Sequence, residues 1–153
     1  MAAPARPRVA VVISRYNELV TARLLEGART ALRERGVRDD HVDVFWVPGA
    51  LELPVAAEAA ATSGRYTAIV ALGCVIRGET AHFDIVAGES ARGLGNVALA
   101  HRAPLGFGVL TTDTLEQALA RSGGAAGNKG FEAAAAALDT AEVLARLTRA
   151  ARD

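Results

Sequence analysis

The chain has 153 residues, a length that fits one packed domain, and just over half of them are apolar although only seven are aromatic; single-core domains most often run to roughly 100–150 residues. Seventeen basic residues balance seventeen acidic ones, so no global field holds the chain to nucleic acid or to an anionic membrane, and both are excluded as partners. A single cysteine, Cys74, and three scattered histidines rule out a disulfide framework and a histidine/cysteine zinc site, so no metal is expected and a reducing compartment fits best.

In chain order, MAAPARPR carries Pro4 and Pro7 close together, which predicts a flexible arm over residues 1–7 and a single domain over 8–153. The opening has no apolar run of signal-peptide length, and no stretch approaches the ~20 apolar residues of a membrane helix. A soluble, cytoplasmic protein is expected. Arg8–Ile13 (RVAVVI) reads as a strand, followed by a loop at Ser14–Asn17 and a helix over Glu18–Arg35 that Gly36 stops in the left-handed conformation. A second strand at His41–Val47 (HVDVFWV) leads through Pro48–Glu52 into a helix over Leu51–Thr62, with Pro54 in its first turn, where a missing N–H is tolerated.

The third strand, Thr67–Leu72 (TAIVAL), opens into a loop at Gly73–His82, and a helix over His82–Arg102 stops ahead of Pro104. The fourth, Leu105–Leu110 (LGFGVL), leads through Thr111–Thr114 into a helix over Thr114–Arg121, for which Asp113 and Glu116 read as a capping box. After a glycine-rich turn the last helix spans Asn128–Arg149. All four strands are largely apolar on both faces, which predicts a doubly covered parallel sheet. Short connections and right-handed crossovers give an α/β chain wound on both sides of a central four-stranded parallel sheet, a three-layer α/β/α sandwich. Ligands of such sheets bind at the carboxyl ends of the strands, where the four loops gather.

Two motifs mislead. Gly93–Ala98 (GLGNVA) matches a dinucleotide fingerprint but lies inside a helix with no strand before it; its glycines serve better for close approach by another helix or subunit. Gly123–Lys129 (GGAAGNK) resembles a nucleotide phosphate loop, yet Asn128 stands where that motif has glycine and a helix precedes it.

Chemistry concentrates in Gly73–Asp84 (GCVIRGETAHFD), where a buried strand gives way to a helix start whose outward N–H groups attract anions. Thr80 either caps that helix or joins a phosphate contact. His82 feels the positive end of the helix dipole, which favours a neutral ring able to accept a proton and pass it on, or it is simply a surface or capping histidine. Glu79 suits an anion site only with its carboxylate turned away. Tyr16, Trp46 and Phe107 offer ring faces to a planar heterocycle, unless Trp46 and Phe107 belong to the core, and Glu52 offers a hydrogen-bonding carboxylate or is a solvated acid in a first helical turn. Arg121 and Lys129, the chain's one lysine, flank the glycine-rich turn and suit a phosphate, or are simply solvated.

Taken in order, SRYN (Ser14–Asn17), WVPGALELP (Trp46–Pro54), ALGCVIRGETAHFD (Ala71–Asp84), GFGVLTT (Gly106–Thr112) and AGNKG (Ala126–Gly130) resemble the 6,7-dimethyl-8-ribityllumazine synthase family over nearly the whole chain. The resemblance implies a flavodoxin-like fold. It also implies the penultimate step of riboflavin biosynthesis, in which 5-amino-6-(D-ribitylamino)uracil condenses with 3,4-dihydroxy-2-butanone 4-phosphate without metal or redox cofactor. By motif, Tyr16 stacks on the pyrimidine, Ala50, Leu51 and Glu52 meet the ribityl chain, and Cys74, Val75 and Ile76 line the ring pocket through backbone. Glu79 and Thr80 stand at the phosphate turn, and His82 transfers protons. Phe107 and Arg121 come from the neighbouring subunit, with Lys129 close by. The family forms pentamers, and some members build icosahedral shells of twelve pentamers.

Three departures stand out. Tyr16 replaces the usual phenylalanine, Gly123–Asn128 lacks a lysine often seen in that turn, and the amino-terminal arm is short and proline-bearing. A non-catalytic flavin-binding or shell-forming protein is the other reading. Against flavin stands the loop SRYNE, which carries a tyrosine and charges where flavodoxins have a Ser/Thr-rich phosphate turn.

Overall fold

The computed structural model describes residues 7–152; the arm expected over residues 1–7 lies, Pro7 apart, outside them. The elements run β1 (Val9–Ser14), α1 (Glu18–Glu34), β2 (Val42–Val47), α2 (Leu53–Thr62), β3 (Ala68–Ile76), α3 (His82–His101), β4 (Leu105–Thr112) and α4 (Leu115–Ala120), then a hairpin of β5 (Ser122–Gly124) and β6 (Gly127–Asn128), and finally α5 (Lys129–Arg152). β1 to β4 form one parallel sheet in the order β2-β1-β3-β4.

Alternation along β1 builds the layers. Val9, Val11 and Ile13 pack with Val20 and Leu24 of α1 and Ala133 and Ala137 of α5, whereas Ala10 and Val12 pack with Leu53 and Ala57 of α2 and Leu94 and Val97 of α3. Burying each valine or isoleucine is worth about 1.5–3 kcal/mol, so β1 anchors both cores. The result is the flavodoxin-like α/β/α sandwich that the alternating apolar runs require.

Gly36, at φ +82, ends α1 as expected: its N–H reaches the Arg33 carbonyl (3.0 Å), and the Val37 N–H reaches that of Leu32 (2.9 Å). The fingerprint-like Gly93 lies within α3, where an added Cβ would come 2.6 Å from Pro54 Cγ of α2, so it serves helix packing and not a cofactor.

Several expectations need correction. Full cover on both faces holds for β1 and most of β3, but β2 and β4 are the sheet's margins and leave Phe45 and Phe107 partly exposed. Gly73–Ile76 is strand, not loop, because β3 pairs with β4 continuously from Ile69↔Leu105 to Ile76↔Thr112. A 3-10 turn at Ala50–Glu52 delays the start of α2 to Leu53. The capping box consists of Thr114 and Gln117, one residue beyond the expected pair, because the Asp113 carboxylate is engaged by Arg77. The glycine-rich turn is the β5–β6 hairpin, and α5 follows it from Lys129, capped by Asn128, whose Oδ1 accepts from the Gly130 and Phe131 N–H groups (2.9 and 3.1 Å).

Candidate active site

The carboxyl ends of β1, β2 and β3 surround an open cavity of about 540 Å³. Tyr16 enters from the first loop, Ala50, Leu51 and Glu52 from the second, Cys74, Val75 and Ile76 from the end of β3, and Thr80 and His82 from the start of α3. These nine residues come from three separate sequence motifs, and the fold gathers them around one space.

The first two loops are tied together by the backbone: the Arg15 N–H donates to the Val47 carbonyl (2.8 Å) and the Tyr16 N–H to that of Pro48 (3.0 Å). Tyr16 is thereby presented with its side chain largely free, 73% exposed. Asn17, left-handed at φ 61, ties the first loop to β3 by donating from Nδ2 to the Cys74 carbonyl (2.9 Å). In the second loop, the Glu52 N–H closes onto the Gly49 carbonyl (3.2 Å), burying Ala50 and leaving Leu51 outward. Burial pushes the Cys74 thiol up to about 11, so it stays protonated at neutral pH and is a poor nucleophile.

Between β3 and α3, Gly78 to Ala81 form a turn whose neighbouring helix start aims N–H groups outward. Thr80 does not cap α3: the cap is Ala81, and Thr80 Oγ1 makes only a long 3.4 Å contact with the His82 N–H, so its hydroxyl stays available to a ligand. Glu79 is exposed and its side chain is not part of the cavity wall, which relieves the conflict between a carboxylate and an anion site. His82 is exposed at the cavity rim.

Phe107, Arg121 and Lys129 do not join this cavity. They line a separate depression of about 400 Å³ at β4, together with Thr111 and Thr112. Arg121 is steadied there by donation from Nη1 to the Gln117 carbonyl (3.1 Å). Trp46 lines neither space: it packs half-buried against the α1/α5-side core with the Arg15 guanidinium 5.2 Å over its ring, which answers its core reading. Sequence reasoning missed Asn17 as a brace and Phe83 and Val86 as wall residues; His82 and Val86, four apart, share a helix face, and that spacing was the signal available.

The family profile described as 6,7-dimethyl-8-ribityllumazine synthase matches residues 6–145. The chain belongs to that family. A 6,7-dimethyl-8-ribityllumazine synthase of Edwardsiella ictaluri (strain 93-146) is 57% identical over 145 residues, covering 94% of this chain and 92% of the relative. Another, of Gemmatimonas aurantiaca (strain DSM 14586 / JCM 11422 / NBRC 100505 / T-27), is 58% identical over 139 residues, covering 91% and 85%. The enzyme is accordingly a transferase of riboflavin biosynthesis, condensing 5-amino-6-(D-ribitylamino)uracil with 3,4-dihydroxy-2-butanone 4-phosphate to give 6,7-dimethyl-8-ribityllumazine. Among the described residues, no helix is long and apolar enough to cross a membrane.

Proposed function

We propose that the cavity between Tyr16 and His82 holds the ribitylaminouracil, that the Gly78–Thr80 turn holds the phosphate, and that a neighbouring subunit closes the site. The supporting observation is the separation within one chain of two groups of site residues, one around the larger cavity and one, Phe107, Arg121 and Lys129, around the depression at β4. Each group alone lacks something the reaction needs. The cavity lining has the Tyr16 ring, the Glu52 carboxylate and the His82 imidazole but no cation; the depression has two cations and no histidine. Arginine suits the phosphate because its fork can bind two oxygens at once.

In this reading Tyr16 stacks on the pyrimidine, a contact worth about 0.5–1.5 kcal/mol beyond area burial, which orients more than it holds. Ala50, Leu51 and Glu52 meet the ribityl chain, and backbone groups of Cys74, Val75 and Ile76 face the ring. Glu79 contributes main chain to the phosphate turn. The reaction runs through imine formation, phosphate elimination, ring closure and dehydration, and His82 relays the protons. Both reactants are inherently reactive, so alignment dominates: holding two reactants in register supplies ~7–11 kcal/mol, against about 3–5 kcal/mol from one general acid–base group.

The assembly we assign is a pentamer, the unit from which an icosahedral 60-subunit shell closes. Val55 on α2 and Ile85 and Leu99 on α3 leave large apolar side chains exposed, the kind of surface that association covers. The lone buried Cys74 suits a reducing cytoplasm, the compartment we assign.

Mixing tests the shared site. His82→Ala and Arg121→Ala proteins are each impaired, and dissociating and reassembling them together creates sites with both wild-type side chains, so lumazine fluorescence should rise above either parent. A mixture no more active than the mean of its parents would show that each chain works alone. Analytical ultracentrifugation of the same sample reads the assembly, and pentamers only would reject the shell.

A further inference from the structure

We propose that Arg77 is a positioning residue for the condensation: its guanidinium, held by Asp113, Asp84 and the face of Phe83, sets the shape of the Gly78–Ala81 turn that meets the phosphate. This rests on the assignment of that turn to the phosphate.

The turn does not hold itself. Among the described residues, Gly78, Glu79 and Thr80 take part in no main-chain hydrogen bond, and the one side-chain contact within the segment is the long 3.4 Å approach of Thr80 Oγ1 to the His82 N–H. Its shape is therefore fixed from its ends, and Arg77 grips both. On the strand side, the Arg77 N–H donates to the Thr112 carbonyl (2.8 Å), at the end of the β3–β4 ladder. On the helix side, Nη1 lies 3.6 Å from Asp84 Oδ1, and the guanidinium carbon sits 4.3 Å from the Phe83 ring centroid, both residues in the first turn of α3. Nε donates to Asp113 Oδ1 (2.8 Å), beyond the end of β4.

Those three contacts use different parts of one group: an N–H edge, a second N–H, and the flat face. A planar guanidinium offers all of them at once, and an ammonium does not. Charge adds a second role. Asp84 and Asp113 are carboxylates close to a turn that takes an anion, and Arg77 neutralises the field they would otherwise set against it. The Arg77 side chain is 48% exposed, and ion pairs so open to water contribute little to stability. Its value lies in where it keeps the turn.

Steady-state kinetics with each substrate varied in turn tests this. Arg77→Gln should raise the KM for the butanone phosphate about three- to tenfold, since small misplacements of positioning groups carry large kinetic penalties, while kcat and the KM for ribitylaminouracil stay within about twofold. Arg77→Lys should recover part of the loss. Asp113→Asn, which keeps Arg77 but releases it, should move the same KM in the same direction, and it carries the test if Arg77→Gln fails to fold. Asp113→Asn with an unchanged KM beside a raised one in Arg77→Gln would mean that Arg77 touches the phosphate itself, which overturns positioning. Equal effects on both substrates would make Arg77 merely structural. Thr80→Ala separates the two layers of the argument: if it raises the KM for the phosphate and Arg77→Gln does not, the positioning role falls and the phosphate turn stands; if neither does, both fall.

Discussion

Asn17 and Cys74, 57 residues apart in sequence, are joined by a 2.9 Å hydrogen bond from Asn17 Nδ2 to the Cys74 carbonyl. Asn17 holds a left-handed backbone (φ 61, ψ 46) ahead of α1, a conformation that asparagine tolerates better than most residues. With the Tyr16 N–H bound to the Pro48 carbonyl, this contact makes the ends of β1, β2 and β3 one wall. The cavity's shape thus depends on a residue outside the set that lines it.

Asn17→Ala should therefore be more costly than a lost hydrogen bond. The bond contributes about 1 kcal/mol, and alanine in the left-handed region costs roughly 1–2 kcal/mol, so a loss of about 2–3 kcal/mol is expected. Asn17→Gly forfeits the bond but escapes the strain and should lose about 1 kcal/mol. Urea unfolding midpoints of the two variants measure the difference; equal losses would mean that the left-handed backbone stores no strain.

How much of this was legible in the sequence depends on whether the deciding contact is local. The first strand, expected over Arg8–Ile13 and found over Val9–Ser14, and the Gly36 stop were readable because a continuous apolar run and a glycine after a helix act on their own neighbourhood. The capping box was misread by one position because Asp113, Thr114, Glu116 and Gln117 offer two overlapping boxes, and the choice falls to Arg77, 36 residues away, which takes Asp113. Gly73–Ile76 looked like a loop for the same kind of reason: only pairing with β4 keeps it extended. Around the cavity, the loops that meet were legible by motif, whereas the division into a cavity and a separate depression, and the brace by Asn17, are products of packing.

His82→Ala should slow turnover by a factor of about 10²–10⁴ and leave measurable product, because alignment survives the loss of one proton carrier. Arg121→Ala should instead raise the KM for the butanone phosphate and spare that for ribitylaminouracil. Single-turnover fluorescence and steady-state kinetics read the two. A folded His82→Ala protein with no single-turnover product would refute the first expectation, and unchanged constants for the phosphate substrate the second.

Within α3, two glycines of one misleading motif should respond in opposite ways. A Cβ on Gly93 would sit 2.6 Å from Pro54 Cγ, so Gly93→Ala should cost about 1–3 kcal/mol by overpacking. Gly95 faces open space, and Gly95→Ala should gain up to about 1 kcal/mol in helix propensity. Thermal melts of both variants settle the comparison, and a loss at Gly95 would put a neighbouring subunit's surface against it.

The buried thiol makes an alkaline limit to stability. Cys74 is 2% exposed, and burial raises it from an ordinary value of 9.0 to about 11. Above pH 9 the unfolded chain releases this proton while the folded chain keeps it, so the unfolded state gains. The contribution is therefore complete below pH 9 and is lost as pH climbs towards 11, by at most about 3 kcal/mol at roughly 1.4 kcal/mol per unit. Urea midpoints taken across that range should fall more steeply for the native chain than for Cys74→Ala, in which nothing titrates at this position. Parallel curves would mean that water reaches the thiol in the folded protein. Alkylation gives an independent reading: at pH 8 the native thiol should resist iodoacetamide and react once urea opens the chain.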